Sequence, residues 1–116
     1  MYMFLPLLGS IEKTNSDAWR DAVQINLIGT YNVIRETAAV FRRQNRGHFV
    51  AISGGGATSP MPRITAYAAN KSAIVRLVES VARDFDELEN VTFNSVAPGI
   101  MKTEMIHEVI AAGPEI

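Results

Sequence analysis

The sequence predicts an α/β fold, part of a doubly wound parallel sheet flanked by helices. Two observations carry this. His48-Phe49-Val50-Ala51-Ile52-Ser53 and Val91 to Ala97 are short apolar runs bounded by turn signals. The first has no polar alternation and reads as a strand covered on both faces. A long stretch of helical periodicity precedes each run, so the order helix, strand, helix, strand makes a β-α-β crossover between two parallel strands.

The elements follow from local signals. Thr14-Asn15-Ser16-Asp17 is a helix start: Thr14 or Ser16 can accept orphan N–H bonds, and Asp17 and Asp21 suit the positive end of the dipole. The pattern runs to about Gln44 through Ala18, Ala22, Ile25, Ile28, Val33, Ala38 and Phe41. Asn26 and Gly29 near its middle mark a bend. Arg42, Arg43 and Arg46 suit the helix C-terminus and read as a solvated end, with Gly47 as the stop. Gly54-Gly55-Gly56 ends the first strand, and 57–63 with Pro60 and Pro62 is a loop. A second helix runs from about Thr65 to Phe85 or Leu88, with Ala66, Ala69, Ala73, Leu77, Val81 and Phe85 near one stripe. Pro98-Gly99 stops the second strand, because proline cannot donate to the ladder. The tail from Met101 to Val109 is weakly helical.

Length and composition exclude several function classes. With 116 residues the chain suits one small domain. Two parallel strands and two helices do not complete a covered sheet, however, so residues 1–116 read as a single partial domain. Hydrophobic residues at 47% and charged residues at 20% describe a globular chain. Eleven Lys and Arg against twelve Asp and Glu leave no electrostatic footprint for nucleic acid or an anionic membrane. The absence of cysteine removes disulfides, thiol catalysis and thiolate metal sites, and fits a reducing, cytoplasmic compartment. No stretch approaches the roughly 18 apolar residues of a membrane span. Met1–Leu8 is apolar but lacks a basic flank and is interrupted by Pro6, so it reads as a loop or packed arm. His48 and His107 have no ligand spacing around them, and no metal site is expected.

Tyr67 and Lys71 are the strongest chemical pair. They stand four apart at the start of the second helix and project from one face. A lysine ammonium a few ångströms from a phenol favours the phenolate, which lets a tyrosine act as acid toward a carbonyl or base toward an alcohol. A tyrosine packed beside a surface lysine is the alternative reading of the same spacing. Asn26 is unusual in a helix interior, because its side chain competes for backbone bonds.

Trp19, Asn26-Leu27 and Gly29, then Gly47 and Ile52-Ser53, then Tyr67-Ala68-Ala69-Asn70-Lys71, then Asn94-Ser95-Val96-Ala97-Pro98-Gly99 and Thr103 occur in order. The set resembles the C-terminal half of the short-chain dehydrogenase/reductase family, from about Ser10 to Met105. The resemblance implies a partial Rossmann-like domain and hydride transfer between NAD or NADP and an alcohol or carbonyl carbon of a small molecule. It implies that Tyr67 is the general acid/base and that Lys71 tunes Tyr67 and bonds the nicotinamide ribose. Asn26 would hold a water of a proton relay behind Lys71. Pro98, Gly99 and Thr103 would border the nicotinamide.

Two departures stand out. The family usually places a serine 13 residues before the tyrosine, and Gly54 occupies that position here. Ser53 is adjacent, but successive strand residues face opposite sides, so it serves only if the chain twists at Gly54–Gly56. Backbone N–H groups of that run are the other possible donors. The second departure is the family's dinucleotide site, whose first strand, glycine-rich turn and selecting residue lie in its N-terminal half. Gly54-Gly55-Gly56 is not that turn, since no helix opens directly after it. The chain therefore reads as a member truncated upstream, with negligible turnover expected in isolation. The alternative is a non-catalytic module that pairs with itself, as a homo-oligomer, or with a full-length relative through helices 17–44 and 65–87.

Overall fold

The computed structural model describes residues 7–98. Helix α1 spans Ser16–Val23, a π-helical turn covers Gln24–Ile28, and helix α2 continues over Gly29–Gln44. Strand β1 is Gly47–Ile52, helix α3 is Thr65–Asp84 and strand β2 is Val91–Val96. Short 3-10 turns cover Ile11–Lys13 and Gly55–Ala57. The expected weak helix at Met101 to Val109 lies outside the described residues, as do Gly99 and Thr103.

The two strands pair in parallel, from Gly47 opposite Val91 to Ile52 opposite Val96. The Ser53 N–H extends the ladder to the Val96 carbonyl at 2.7 Å. The β-α-β crossover expected from the apolar runs is therefore present. Coverage differs from expectation. Phe49 and Ala51 with Val91 and Phe93 face the helices, and this inward set forms the core with Ile34, Ile74, Val78 and Phe85. Val50, Ile52 and Val96 alternate with them and remain about half exposed, at 55%, 55% and 47%. Period-two alternation sends them to the opposite face, where no helix of residues 7–98 lies over them.

Phe93 centres an aromatic cluster, with ring centroids of Phe85, Phe41 and Phe49 at 5.1, 5.6 and 5.8 Å. Offset, tilted rings at such spacing are favourable beyond their burial. The end of α2 explains how Phe41 reaches them. Asn45 takes the left-handed conformation (φ 56°) and stops the helix, a role the sequence assigns to Gly47 and that asparagine also fills. Gly47 is needed for another reason: its φ is +156°, and a Cβ there would fall on the Phe41 ring.

Two other local expectations are corrected, and the end of α3 falls where expected. The α1 cap is Asn15, whose Oδ1 accepts the Ala18 N–H at 2.8 Å, whereas the Thr14 hydroxyl donates back to the Ile11 carbonyl. Arg42 is not merely solvated. It donates to Glu87 at 2.7 Å and to the Asp84 carbonyl at 3.0 Å, and its guanidinium lies 4.1 Å from the Phe85 ring centroid. These contacts tie the end of α2 to the end of α3, and the hydrogen bond from Arg42 holds the Glu87 carboxyl below its ordinary range. Helix α3 ends at Asp84, with Phe85 as a buried cap residue.

Phe93→Ala should destabilise the chain by about 3–5 kcal/mol, the usual cost of emptying a packed aromatic site. Tyr31→Ala, on the exposed face of α2, should change stability by less than about 0.5 kcal/mol. Urea denaturation of the two variants checks the contrast.

Candidate functional site

The first turns of α3 hold the tyrosine and lysine because the helix buries a neighbouring stripe. Ala66, Asn70, Ile74 and Val78 are its buried positions, four apart as one face of a helix requires. Buried Asn70 is satisfied, its Nδ2 donating to the Ala66 carbonyl at 2.9 Å. Tyr67 and Lys71 lie one position along from this stripe and are half-buried. No side chain caps the start of α3 at Ile64. Its position is fixed instead by packing of Leu7, Ala22 and Ala66, with Trp19, Ile64 and Tyr67 around them. The Trp19 indole N–H donates to the Thr65 hydroxyl at 3.1 Å. Trp19 thus links α1 to the turn that carries Tyr67.

Lys71 reaches the carboxyl end of β1, where its Nζ donates to the Ile52 carbonyl at 3.2 Å. The same ammonium stands 5.8 Å from the Tyr67 ring centroid, so phenol and ammonium share one side of α3. Burial pushes the Lys71 amine below its ordinary value of 10.5, because a half-desolvated ammonium loses part of its hydration.

Asn26 lies in the π turn, where the Gly29 N–H reaches back five residues to Gln24. Its Nδ2 donates to the Ala22 carbonyl at 2.9 Å, and the Thr30 hydroxyl donates to its own carbonyl at 2.6 Å. The expected mid-helix irregularity is therefore a π insertion, a feature frequent at functional sites. It puts Asn26 on the wall of a groove of about 340 Å³ between α2 and β1, which Lys71, Ile52, Gly29 and Thr30 also line. Asn26 and Lys71, 45 residues apart in sequence, thereby face one space.

Ser53 is buried, at 6% exposure, and its Oγ has no hydrogen-bond partner. Gly54 is extended (φ −157°, ψ 177°) and lies directly against the Tyr67 hydroxyl. Nothing in the spacing of the sequence signals that contact. The glycine run leads into the 3-10 turn Gly55–Ala57, not into an α-helix, so it does not form a pyrophosphate-binding helix start. Pro98 is exposed at the end of the described residues.

A family profile described as short chain dehydrogenase matches residues 6–113. A chlorophyll(ide) b reductase, NOL, of Oryza sativa is 30% identical, covering 90% of this chain and 31% of the relative. The 2,3-dihydro-2,3-dihydroxybenzoate dehydrogenase of Escherichia coli is also 30% identical, covering 84% of this chain and 39% of the relative. Among solved structures, ElxO with NADP bound has a TM-score of 0.79 and 28% identity, over 90% of this chain and 42% of that one. The chain thus spans between 31% and 39% of the length of these curated relatives.

The lowered affinity of Lys71 for its proton sets a pH dependence. The unfolded chain binds that proton more tightly than the folded one, so stability should rise with pH from the lowered folded value up to about 10.5. Urea denaturation at pH 8 and pH 10 should show that gain in the native chain and a smaller one in Lys71→Met.

Proposed function

The chain belongs to the short-chain dehydrogenase family, and on that premise we propose that it carries the proton-transfer half of an NAD(P)-dependent oxidoreductase site acting on an alcohol or carbonyl. The observation that carries this reading is the placement of Tyr67 and Lys71 together on one face of α3, with the ammonium anchored at the carboxyl end of β1. In open α/β sheets, ligands bind at the carboxyl ends of the strands.

Each residue has a role in that reading. Tyr67 gives its phenolic proton to the carbonyl oxygen in reduction and takes it from the alcohol in oxidation. Lys71 holds one backbone carbonyl and keeps N–H donors spare. These suit the ribose hydroxyls of a nicotinamide nucleotide and leave positive charge beside the phenol. Asn26, across the groove from Lys71, would hold a water that passes the proton to solvent in oxidation and from solvent in reduction. When bound, the nicotinamide supplies or accepts the hydride. By family resemblance Pro98, Gly99 and Thr103 would border it. Ser53, buried and adjacent to Gly54, remains a candidate donor to the substrate oxygen. The position of the Lys71 ammonium at the end of β1 supports a place there for the nicotinamide ribose, and the glycine run does not supply a pyrophosphate site. Choice between NAD and NADP therefore belongs to residues outside this group.

The reading predicts negligible NAD(P)H-dependent carbonyl reduction by the isolated 116-residue chain. A chimera in which the upstream dinucleotide-binding segment of the Escherichia coli relative is joined to this chain should turn over. Tyr67→Phe in that chimera should lower kcat by about 10²–10⁴, the usual worth of a positioned acid/base group. Equal rates in both forms would remove Tyr67 from the mechanism.

A second reading rests on a separate observation. Ile25, Tyr31, Val33 and Val40 are exposed along the π turn and α2, and Val50, Ile52 and Val96 on the sheet. Such uncovered apolar surface favours association, either with a second copy or with a full-length relative. Sedimentation velocity at micromolar concentration should show a dimer or larger species; a folded monomer would exclude self-pairing.

A further inference from the structure

The glycine run after β1 is a contact surface. Gly54 is extended (φ −157°), so its backbone conformation admits any residue. Space explains the glycine. A Cβ at position 54 would fall on the hydroxyl oxygen of Tyr67, 3.0 Å from Cζ and 3.4 Å from Cε1 of the same ring. Gly56 is filled in the same way, since a Cβ there would stand 2.6 Å from the Ala68 Cα and 2.8 Å from its Cβ. Gly55, between them, meets nothing within 4 Å. The loop therefore docks on the first turn of α3 at two points, through the hydroxyl of Tyr67 and the backbone of Ala68.

The two contacts differ in how they can respond to an added side chain. At Gly56 the obstacle includes helix backbone. At Gly54 it is the far end of one side chain, so the helix can stay in place while the ring moves. A side chain at position 54 thus acts selectively on the phenol. The partly buried packing of Tyr67 beside Leu7, Ala22 and Ala66 limits where the ring can go, and its hydroxyl must leave its position against the end of β1.

We propose that Gly54 is a positioning residue for Tyr67: by lacking a side chain, it provides the seat on which the phenolic oxygen rests at the end of β1. Any side chain at 54 displaces that oxygen, serine included. In this chain Gly54→Ser disturbs the acid/base group instead of supplying a missing donor. The proposal deepens the oxidoreductase reading and rests on it for its functional meaning, but its test uses no turnover.

The test is NMR of the full 116-residue chain carrying ring-¹³C tyrosine. Of the three tyrosines, Tyr67 is identified by the resonance lost in Tyr67→Phe. In Gly54→Ala and Gly54→Ser the Tyr67 ring resonance should shift, while Tyr31 stays in place. A folded Gly54→Ser whose Tyr67 resonance superimposes on that of the native chain would overturn the proposal. If both single variants fail to fold, the double variant Gly54→Ala with Tyr67→Ala decides. Vacating the ring should restore a cooperative melt, and a double variant that stays unfolded would overturn the proposal equally. A chimera without oxidoreductase activity would count against the catalytic reading alone.

Discussion

The Lys71 ammonium donates to the Ile52 carbonyl across 3.2 Å, and this contact couples the register of α3 to the carboxyl end of β1. Its geometric consequences are on either side of it. One helical turn back, Tyr67 is held beside the ammonium with its hydroxyl against Gly54. Across the groove, the π turn sets Asn26 on the facing wall. The ammonium is half withdrawn from water, and a partner for one of its donors offsets part of the lost hydration. The Ile52 carbonyl is such a partner at a strand end, where the ladder to β2 is finishing.

Two packing units support that arrangement. The aromatic cluster around Phe93 joins α2, β1, β2 and the end of α3. The smaller cluster of Leu7, Ala22 and Ala66 joins α1 to the start of α3. The site lies where the two meet, so α3 is fixed at both ends. The Arg42 contacts with Glu87 and Asp84 secure its C-terminus, and the Trp19 bond to Thr65 secures its N-terminus. An exposed pair such as Arg42 with Glu87 contributes little energy by itself. Its value here is geometric, because the same guanidinium covers the Phe85 ring.

Much of this was legible in the sequence because it depends on periodicity. The β-α-β order, the i, i+4 placement of Tyr67 and Lys71 and the irregularity at Asn26 are all local patterns, and the structure contains each of them. The features that were not legible depend on how distant segments meet. The apolar run His48–Ser53 carries no mark to say which face is covered, and the exposed Val50 and Ile52 became apparent only with the helices in place. Asn15 took the capping role from its neighbours Thr14 and Ser16 through a choice of rotamer and backbone geometry. The contact of the Tyr67 hydroxyl with Gly54 joins residues from a helix and a loop, which no local pattern marks. Gly99 and Thr103 fall outside the described residues.

Phenol and ammonium share one side of α3 at the strand end. Nuclear Overhauser contacts in the full chain measure this most directly. The account predicts cross-peaks from the Tyr67 ring protons to the Gly54 α-protons and to the side-chain methylenes of Lys71. A Tyr67 ring that shows neither, with Lys71 lacking contacts to Ile52, would contradict it.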